Sequence, residues 1–215
     1  MGHPLRHDRP ERRAAAHDPA AGRRPGRPRT ADDEVIAGAV LRALVERGYD
    51  GMTVDHVARL AGVGRATVYR RWPTKTAMVI DALGRGRFPT LEDPDSGDPR
   101  ADFENLLRIV AATFEREHEV MRALQLEVAR HPDIGVALSR DFIAPRLDVV
   151  VGVLRRAATA GLLRAPSDLE LLARVGPALI WQHFALLTNE PDPDLPQRIT
   201  DLVFADPPKR RRSRR

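Results

Sequence analysis

Apolar residues recur at intervals of three and four from about residue 31 to residue 204, which is the spacing of amphipathic helices. The first series ends at Gly48 and Gly51, glycines placed where they stop a helix. No segment shows the strict alternation of apolar and polar residues that marks a half-buried strand. The sequence therefore predicts an all-α fold of about nine helices.

Turn-forming residues divide the helical region in two. The stretch 88–99, FPTLEDPDSGDP, is rich in Pro, Asp and Gly and predicts a domain boundary. We therefore expect one domain over residues 31–87 and a second over residues 98–205. Residues 1–30 are rich in Pro, Gly, Arg and Ala without apolar periodicity, which predicts a disordered basic arm. Residues 206–215 form a basic tail.

The formal net charge of +5 hides an uneven distribution along the chain. Residues 1–30 carry a net charge of +5, and residues 206–215 carry the same. Between them, residues 31–90 have a net charge of +2 and residues 91–205 a net charge of −7. A basic N-terminal third indicates a polyanion as its partner, whereas the acidic remainder indicates something else.

The chain has no cysteine, which excludes a disulfide framework, a thiolate zinc site, an iron–sulfur cluster and a cysteine nucleophile. Glu115 and His118 have the spacing of a di-iron pair, but no second pair accompanies them, so we expect no metal. His183 is expected to be a satisfied interface histidine. No catalytic triad or phosphate-binding glycine loop is visible, so we expect no cofactor and no catalytic residue. Without a signal peptide or membrane span, a cytoplasmic protein is expected.

The segment 54–72, VDHVARLAGVGRATVYRRW, has the spacing of a helix-turn-helix. Thr53 can cap its first helix, Ala58 is small where the helices cross, and Gly62 suits the backbone of the turn. Its miniature core consists of Val57, Val63 and Val68. The residues that the second helix offers to a DNA groove are Arg65, Thr67, Tyr69, Arg70 and Arg71. A solvated helical hairpin within a bundle is the alternative interpretation.

Residues 31–83, above all GYDGMTVDHVARLAGVGRATVYRRWPTKTAMVIDAL, resemble the N-terminal domain of TetR-family transcriptional regulators. The later run HPDIGVALSRDFIAPRLDVVVGVLRRAATAGLL resembles a ligand-domain subtype of the same family. Members are usually homodimeric repressors that a small molecule releases from DNA. The resemblance implies a three-helix DNA-binding domain followed by a helical domain for effector binding and dimerisation.

The resemblance also implies roles for individual residues. Arg65 matches a position that reads base edges, and its guanidinium fork fits guanine O6 and N7. Thr67 and Tyr69 match groove and phosphate contacts. Lys75 matches the cation that meets a phosphate at the start of the fourth helix. Thr53 can donate a hydrogen bond to a DNA phosphate as well as cap its helix.

The chain departs from the commonest family pattern at two places. Ala66 stands where glycine is usual, and Arg71-Trp72 stands where His-Phe is usual. We expect Trp72 in the core and Arg71 at a further phosphate.

The basic arm contains a Gly-Arg-Pro core at Gly26-Arg27-Pro28, and an extended arginine of this kind can enter a narrow A·T minor groove. The alternative is a solvated tail that adds only non-specific electrostatic affinity. The sequence leaves both roles open for Arg27. For the tail 209–215, KRRRSRR, the solvated interpretation is favoured because nothing there fixes a conformation.

Two sets of apolar residues in the acidic domain are predicted to bind, one an effector and the other a second subunit. The candidates for an effector cavity between helices are Phe103, Leu107, Val110, Phe114, Met121, Leu124 and Phe142. By family analogy, helices 168–188 and 195–204 pair with the same helices of a second subunit. The interface candidates are Leu171, Leu172, Val175, Leu179, Trp181 and Leu186.

The function expected is that of a sequence-specific DNA-binding regulator, a homodimeric repressor released from its operator by a small apolar ligand. Its partners would be double-stranded DNA with a pseudo-palindromic operator, the small-molecule effector and a second copy of the chain. The alternative is a helical small-molecule-binding protein or enzyme with a vestigial helix-turn-helix. Activation in place of repression stays open.

Overall fold

The computed structural model describes residues 29–163, 168–187 and 191–204, apart from the side chains of residues 29–32, 86, 186 and 187. Nearly all of the predicted arm, residues 1–30, lies outside this part of the chain, as does the whole predicted tail, residues 206–215.

The fold is built from helices throughout the described ranges. The N-terminal helices are α1 (Arg29–Gly51), α2 (Val54–Ala61), α3 (Arg65–Arg71) and α4 (Lys75–Ala82), with a π-helical turn, Leu83–Arg87, extending α4. The C-terminal helices are α5 (Pro99–Arg116), α6 (His118–Arg130), α7 (Pro132–Leu138), α8 (Ala144–Thr159), α9 (Leu169–Gln182) and α10 (Leu195–Val203).

Two further π-helical turns extend helices of the C-terminal part. Ser139–Ile143 joins α7 to α8 with helical backbone angles at both ends, and His183–Leu187 extends α9. With α7 and α8 counted as one continuous helix, the all-α prediction of about nine helices is confirmed. Over the same described ranges, the extended pairing consists of one isolated bridge between Leu163 and Phe204.

Local sequence signals account for several helix ends. Gly48 interrupts α1 with φ 66° and ψ 176°, so the glycine stop expected there is present. Thr74 caps α4 by accepting a hydrogen bond from the backbone N–H of Ala77. Asp98 caps α5 in the same manner, through the N–H groups of Arg100 and Ala101.

Two apolar cores organise the molecule. The first lies under α1 to α4 and includes Val120 and Leu124 of α6 and Ile134 of α7. The second is formed chiefly by α5, α8, α9 and α10. Helices α6 and α7 therefore follow the linker in sequence but pack against the N-terminal helices, which places them between the two parts of the protein.

Within the described residues, none of these helices combines the length and the apolar character needed to cross a membrane.

Candidate functional site: a helix-turn-helix surface and an apolar cavity

The turn between α2 and α3 has the geometry of a helix-turn-helix. Thr53 Oγ1 accepts a hydrogen bond from the backbone N–H of His56 over 3.2 Å. At the other end of α2, Gly62 adopts φ 67°, and the N–H of Val63 donates to the carbonyl of Ala58 over 3.0 Å. Val57 and Val68 are buried beneath the turn, as the sequence indicated. This packing fixes the angle at which α3 stands on the domain.

Helix α3 presents a polar face to solvent. The side chain of Arg65 is 63% exposed, Tyr69 is 55% exposed, and Arg70 is also exposed, whereas Thr67 is half-buried. Arg65 Nε forms an ion pair with the carboxylate of Asp55 on α2. Since both partners are largely exposed, this pair is weak and can open for another anion.

Arg71 differs from the other candidates on α3 because it points back to the protein. Its guanidinium pairs with Asp33 in the first turns of α1, and Arg85 approaches the same carboxylate at 3.2 Å. A phosphate contact would need Arg71 to exchange this partner. Trp72 is buried as expected, and its Nε1–H donates to Asp81 Oδ2 over 2.8 Å.

Lys75 begins α4 and binds the final turn of α1, beyond the break at Gly48. Its Nζ donates to the carbonyl of Tyr49 over 2.7 Å and to that of Asp50 over 3.3 Å. The ammonium also lies 4.6 Å from the centroid of the Tyr49 ring, within range of a cation–π contact. The candidate phosphate-binding lysine is thereby kept near the N-terminus of α4.

The same final turn of α1 links the helix-turn-helix domain to α6 and α7. The backbone N–H of Tyr49 donates to Oε1 of the buried Glu127 over 3.1 Å. The Tyr49 hydroxyl lies 2.8 Å from Thr76 Oγ1, which donates to Asp133 over 3.0 Å. His131 Nε2 lies 3.2 Å from Asp50 Oδ1. These contacts link the start of α4 directly to the C-terminal domain.

An apolar cavity of about 470 Å³ lies behind this junction, a volume typical of small-molecule sites. Helices α5 to α9 and the linker contribute to its wall. Six of the seven sequence candidates line it, namely Leu107, Val110, Phe114, Met121, Leu124 and Phe142.

Phe103 is the exception, and the prediction that it lines the cavity is wrong. It is fully buried in the second core, with its ring 5.6 Å from that of Phe204 at the end of α10, and it does not line the cavity. Phe103 and Leu107 lie one helical turn apart, yet the turn of α5 that carries Phe103 is covered by the C-terminal segment.

Three polar side chains of the cavity wall were not singled out from the sequence: Gln125, Arg146 and Arg174. Arg146 lies near the start of α8 and donates to the carbonyls of Phe142, Phe88 and Pro89. Burial lowers the pKa of its guanidinium, although arginine stays protonated at neutral pH. Arg146 lies within residues 142–150, where apolar residues recur at helical spacing, and this pattern was the sequence signal that could have placed it near the cavity.

The interface candidates on α9 fall into three groups. Leu171 is 63% exposed, whereas Leu172 and Leu179 are half-buried against the second core of their own chain. Val175 is half-buried as well, and Trp181 lines the cavity. The side chain of Leu186 lies outside the described part of the structure, as does Arg27 of the arm.

A helix-turn-helix with an exposed polar face, joined to a helical domain that contains an apolar cavity, is the architecture of a class of DNA-binding regulators with two helical domains. Residues 36–82 match the family described as bacterial regulatory proteins, tetR family, and residues 93–203 match the Tetracyclin repressor-like C-terminal domain. The chain therefore belongs to the TetR family and is a DNA-binding transcriptional regulator.

Individual relatives agree with this assignment. The chain is 30% identical over 173 residues to the HTH-type transcriptional regulator Rv1556 of Mycobacterium tuberculosis, covering 80% of this chain and 85% of that one. It is 25% identical over 174 residues to AqdR of Rhodococcus erythropolis, covering 80% and 83%. FadR of Bacillus subtilis, solved in complex with stearoyl-CoA, shares the fold with a TM-score of 0.65 at 15% identity, covering 78% and 95%.

Proposed function

We propose that this regulator is a cytoplasmic homodimeric repressor that binds a pseudo-palindromic operator and leaves it when a small apolar ligand enters the cavity. The observation that carries the proposal is the exposed polar face of α3 above a packed turn, where the exposed side chains of Arg65 and Tyr69 can reach a major groove. Helix α3 contains three arginines and no acidic residue, which suits its exposed face to the polyanionic surface of DNA.

The proposed DNA contacts follow from the positions of the side chains. Arg65 reads base edges, because its exposed fork can leave Asp55 for guanine at small cost. Thr67, Tyr69 and Arg70 meet the groove wall and the phosphates. Lys75 and Thr53 lie at the N-termini of α4 and α2, where ammonium, hydroxyl and backbone N–H groups favour an anion. Arg71 and Arg27 add phosphate and minor-groove contacts.

Ligand control is proposed to act through α6. This helix lines the cavity with Met121, Leu124 and Val128, and through Glu127 it also binds the final turn of α1, just before α2. A ligand that fits best when α6 is displaced would therefore favour a different position of the helix-turn-helix. The two DNA-reading helices of the dimer would then no longer match their half-sites.

Dimerisation is proposed to use α9 and α10. Leu171 of α9 is 63% exposed, and Leu202 of α10 is 65% exposed, although both are large apolar residues. Burying such side chains against a second copy is favourable by about 1.5–3 kcal/mol each when burial is complete. The half-buried Leu172, Val175 and Leu179 of α9 are assigned to the edge of the same interface. The proposal also keeps Trp181 and Leu186 as interface residues.

Selection of bound sequences from a random duplex pool tests the proposal. Recovery of a palindrome with half-sites about 34–36 Å apart, or one helical turn more, is the expected result. Failure to enrich any sequence, together with weak binding to bulk duplex at low salt, would favour the alternative of a vestigial helix-turn-helix.

Sedimentation of two variants tests the dimer separately. Leu171→Glu should produce monomers and weaken binding to the full palindrome. Leu126→Glu is the matched control, because Leu126 is also 63% exposed but lies on α6. If both variants remain dimeric, the α9 and α10 surface is not the interface.

A further inference from the structure

Arg146 brings a positive charge into the wall of an otherwise apolar cavity. Its side chain is half-buried, and its guanidinium carbon lies 3.6 Å from the centroid of the Phe142 ring. Nη1 donates to the Phe142 carbonyl over 2.9 Å, and Nη2 donates to the carbonyls of Phe88 and Pro89 over 3.3 and 3.2 Å. All of these partners are neutral, so the charge itself is not balanced by them.

The guanidinium retains donors for a ligand. An arginine has five N–H groups, and three are accounted for by the three carbonyls. The Nε–H and the second Nη1–H have no hydrogen-bond partner among the described residues. No carboxylate within the described ranges forms an ion pair with Arg146. Asp141 and Asp81 line a neighbouring pocket together with Arg146, but Asp141 is paired with Arg140 at 2.6 Å and Asp81 with Arg85 at 2.5 Å. A partly desolvated cation without a counter-charge is costly, and an anionic ligand would remove that cost.

A second cation lines the same cavity. Arg174 of α9 is exposed, and it has no ion pair or hydrogen bond within the described part of the chain. Of the side chains that line the cavity in that part, none is acidic, and Gln125 is the remaining strongly polar one. The residues that line this largely apolar cavity in the described part of the chain therefore include two arginines and no acid.

We infer that the effector is an amphipathic monocarboxylate, with its apolar body in the cavity and its carboxylate paired with Arg146 and Arg174. This inference rests on the proposed function, because it names the chemical class of the ligand that the regulator senses. Charge complementarity carries it. A neutral ligand of the same shape leaves Arg146 unbalanced, and a cationic ligand is repelled by both arginines.

Calorimetric titration of the full-length chain with three matched probes tests the inference: dodecanoate, dodecanol and dodecyltrimethylammonium, each below its aggregation concentration. We expect one dodecanoate per subunit, bound about tenfold or more tightly than dodecanol, because a charge-assisted hydrogen bond to a partly buried arginine is lost with the alcohol. The ammonium probe should bind more weakly than the alcohol.

Two variants separate charge recognition from a structural role. Arg146→Gln should weaken dodecanoate binding about 10- to 100-fold, and Arg174→Gln, at an exposed position, about fivefold. Neither should change dodecanol binding. Arg155→Gln is the control, because Arg155 is an exposed arginine of α8 that does not line the cavity. Since Arg146 also holds the linker, Arg174→Gln and the comparison of probes keep the test valid if Arg146→Gln does not fold.

Three results would overturn the inference: no binding of dodecanoate, equal binding of dodecanoate and dodecanol, or an equal loss of both probes in Arg174→Gln. Operator selection and sedimentation are performed without ligand. They can therefore succeed while the carboxylate inference fails, and this distinguishes a wrong ligand class from a wrong function.

Discussion

The backbone N–H of Tyr49 donates a hydrogen bond to Oε1 of Glu127 over 3.1 Å, and this bond joins the DNA-binding domain to α6. Glu127 is only 4% exposed. Gly48 makes the approach possible, because a Cβ at that position would lie 2.7 Å from the same carboxylate oxygen. The glycine therefore serves both to break α1 and to admit the side chain of a distant helix.

We expect Gly48→Ala to destabilise the protein by about 3 kcal/mol, at the upper end of the cost of a backbone region that is essentially restricted to glycine. The backbone angles at Gly48, φ 66° and ψ 176°, lie in that region, and the new methyl group would also displace Glu127. Urea unfolding of the purified chain measures the difference. Gly62→Ala is the control, since Gly62 has φ 67° but no atom within 4 Å of a built Cβ. A cost no larger than that of the control would show that the Glu127 contact is unimportant.

Glu127→Ala should cost about 1–3 kcal/mol, because it leaves the N–H of Tyr49 without its acceptor in a partly buried place. Glu127→Gln keeps an oxygen that can accept the same hydrogen bond and should cost less. The two variants are compared by urea unfolding and by the hydrogen-exchange rate of the Tyr49 amide. Equal exchange rates in both variants would contradict the role assigned to this bond.

Gly176→Ala on α9 should reduce the capacity of the cavity with little change in stability. A Cβ there would overlap Leu107 Cδ2, so the leucine side chain must move. Because Leu107 lines the cavity, its side chain can turn into open space, and the helix propensity of alanine offsets about 0.5–1 kcal/mol of the strain. Titration with an apolar probe and thermal unfolding test this together. Unchanged probe affinity would mean that Leu107 moves elsewhere.

Arg65→Ala should cost about 1–3 kcal/mol of operator binding and relax the sequence preference at one position of each half-site. Arg65→Lys keeps the charge but loses the bidentate fork, so it should also relax that preference. Arg70→Ala, on the same exposed helix, is the comparison and should lower affinity for all sequences alike. Measurements use the selected operator and single-base variants. A uniform loss with Arg65→Ala would assign Arg65 to a phosphate.

Asp93 in the linker gives the protein an acid-sensitive contact. Both of its oxygens accept hydrogen bonds from Arg156 of α8 over 2.6 Å, and this holds the pKa of Asp93 below its ordinary value of 3.8. A lowered pKa stabilises the fold above pH 3.8, and that contribution is lost as the pH falls through the lower folded value.

Asp93→Asn should therefore lower stability at neutral pH by at most about 1 kcal/mol, the upper range for a partly exposed pair. The difference from the wild type should disappear in strong acid. Asp148→Asn is the control, because Asp148 is an exposed acid on α8. Unfolding followed across the acid range measures both. A difference that persists below the folded pKa of Asp93 would show that the variant acts by some other route.

Local signals in the sequence were sufficient to predict the helix-turn-helix. Each of its features depends only on residues a few positions apart in the sequence. These features are the cap at Thr53, the left-handed turn at Gly62 and the helical spacing of apolar residues. The cavity was predicted nearly as well, since its apolar lining follows the helical period of α5 and α6.

Contacts between distant segments were not predictable in this way. Arg71 pairs with Asp33, and Phe103 packs against Phe204, at separations that no periodic pattern encodes. The cavity position of Arg146 was missed for a related reason. An arginine on a helix is usually solvated, and its burial here depends on how the linker crosses α8.

The two tryptophans of the chain lie in different domains. Trp72 is buried in the DNA-binding domain with its indole N–H on Asp81, whereas Trp181 lines the cavity. Intrinsic fluorescence therefore reports on the DNA-binding domain through Trp72 and on the cavity through Trp181. In a Trp72→Phe variant, emission would come from the cavity alone, so ligand entry becomes visible without an attached dye, and the complementary Trp181→Phe variant would report the response of the DNA-binding domain.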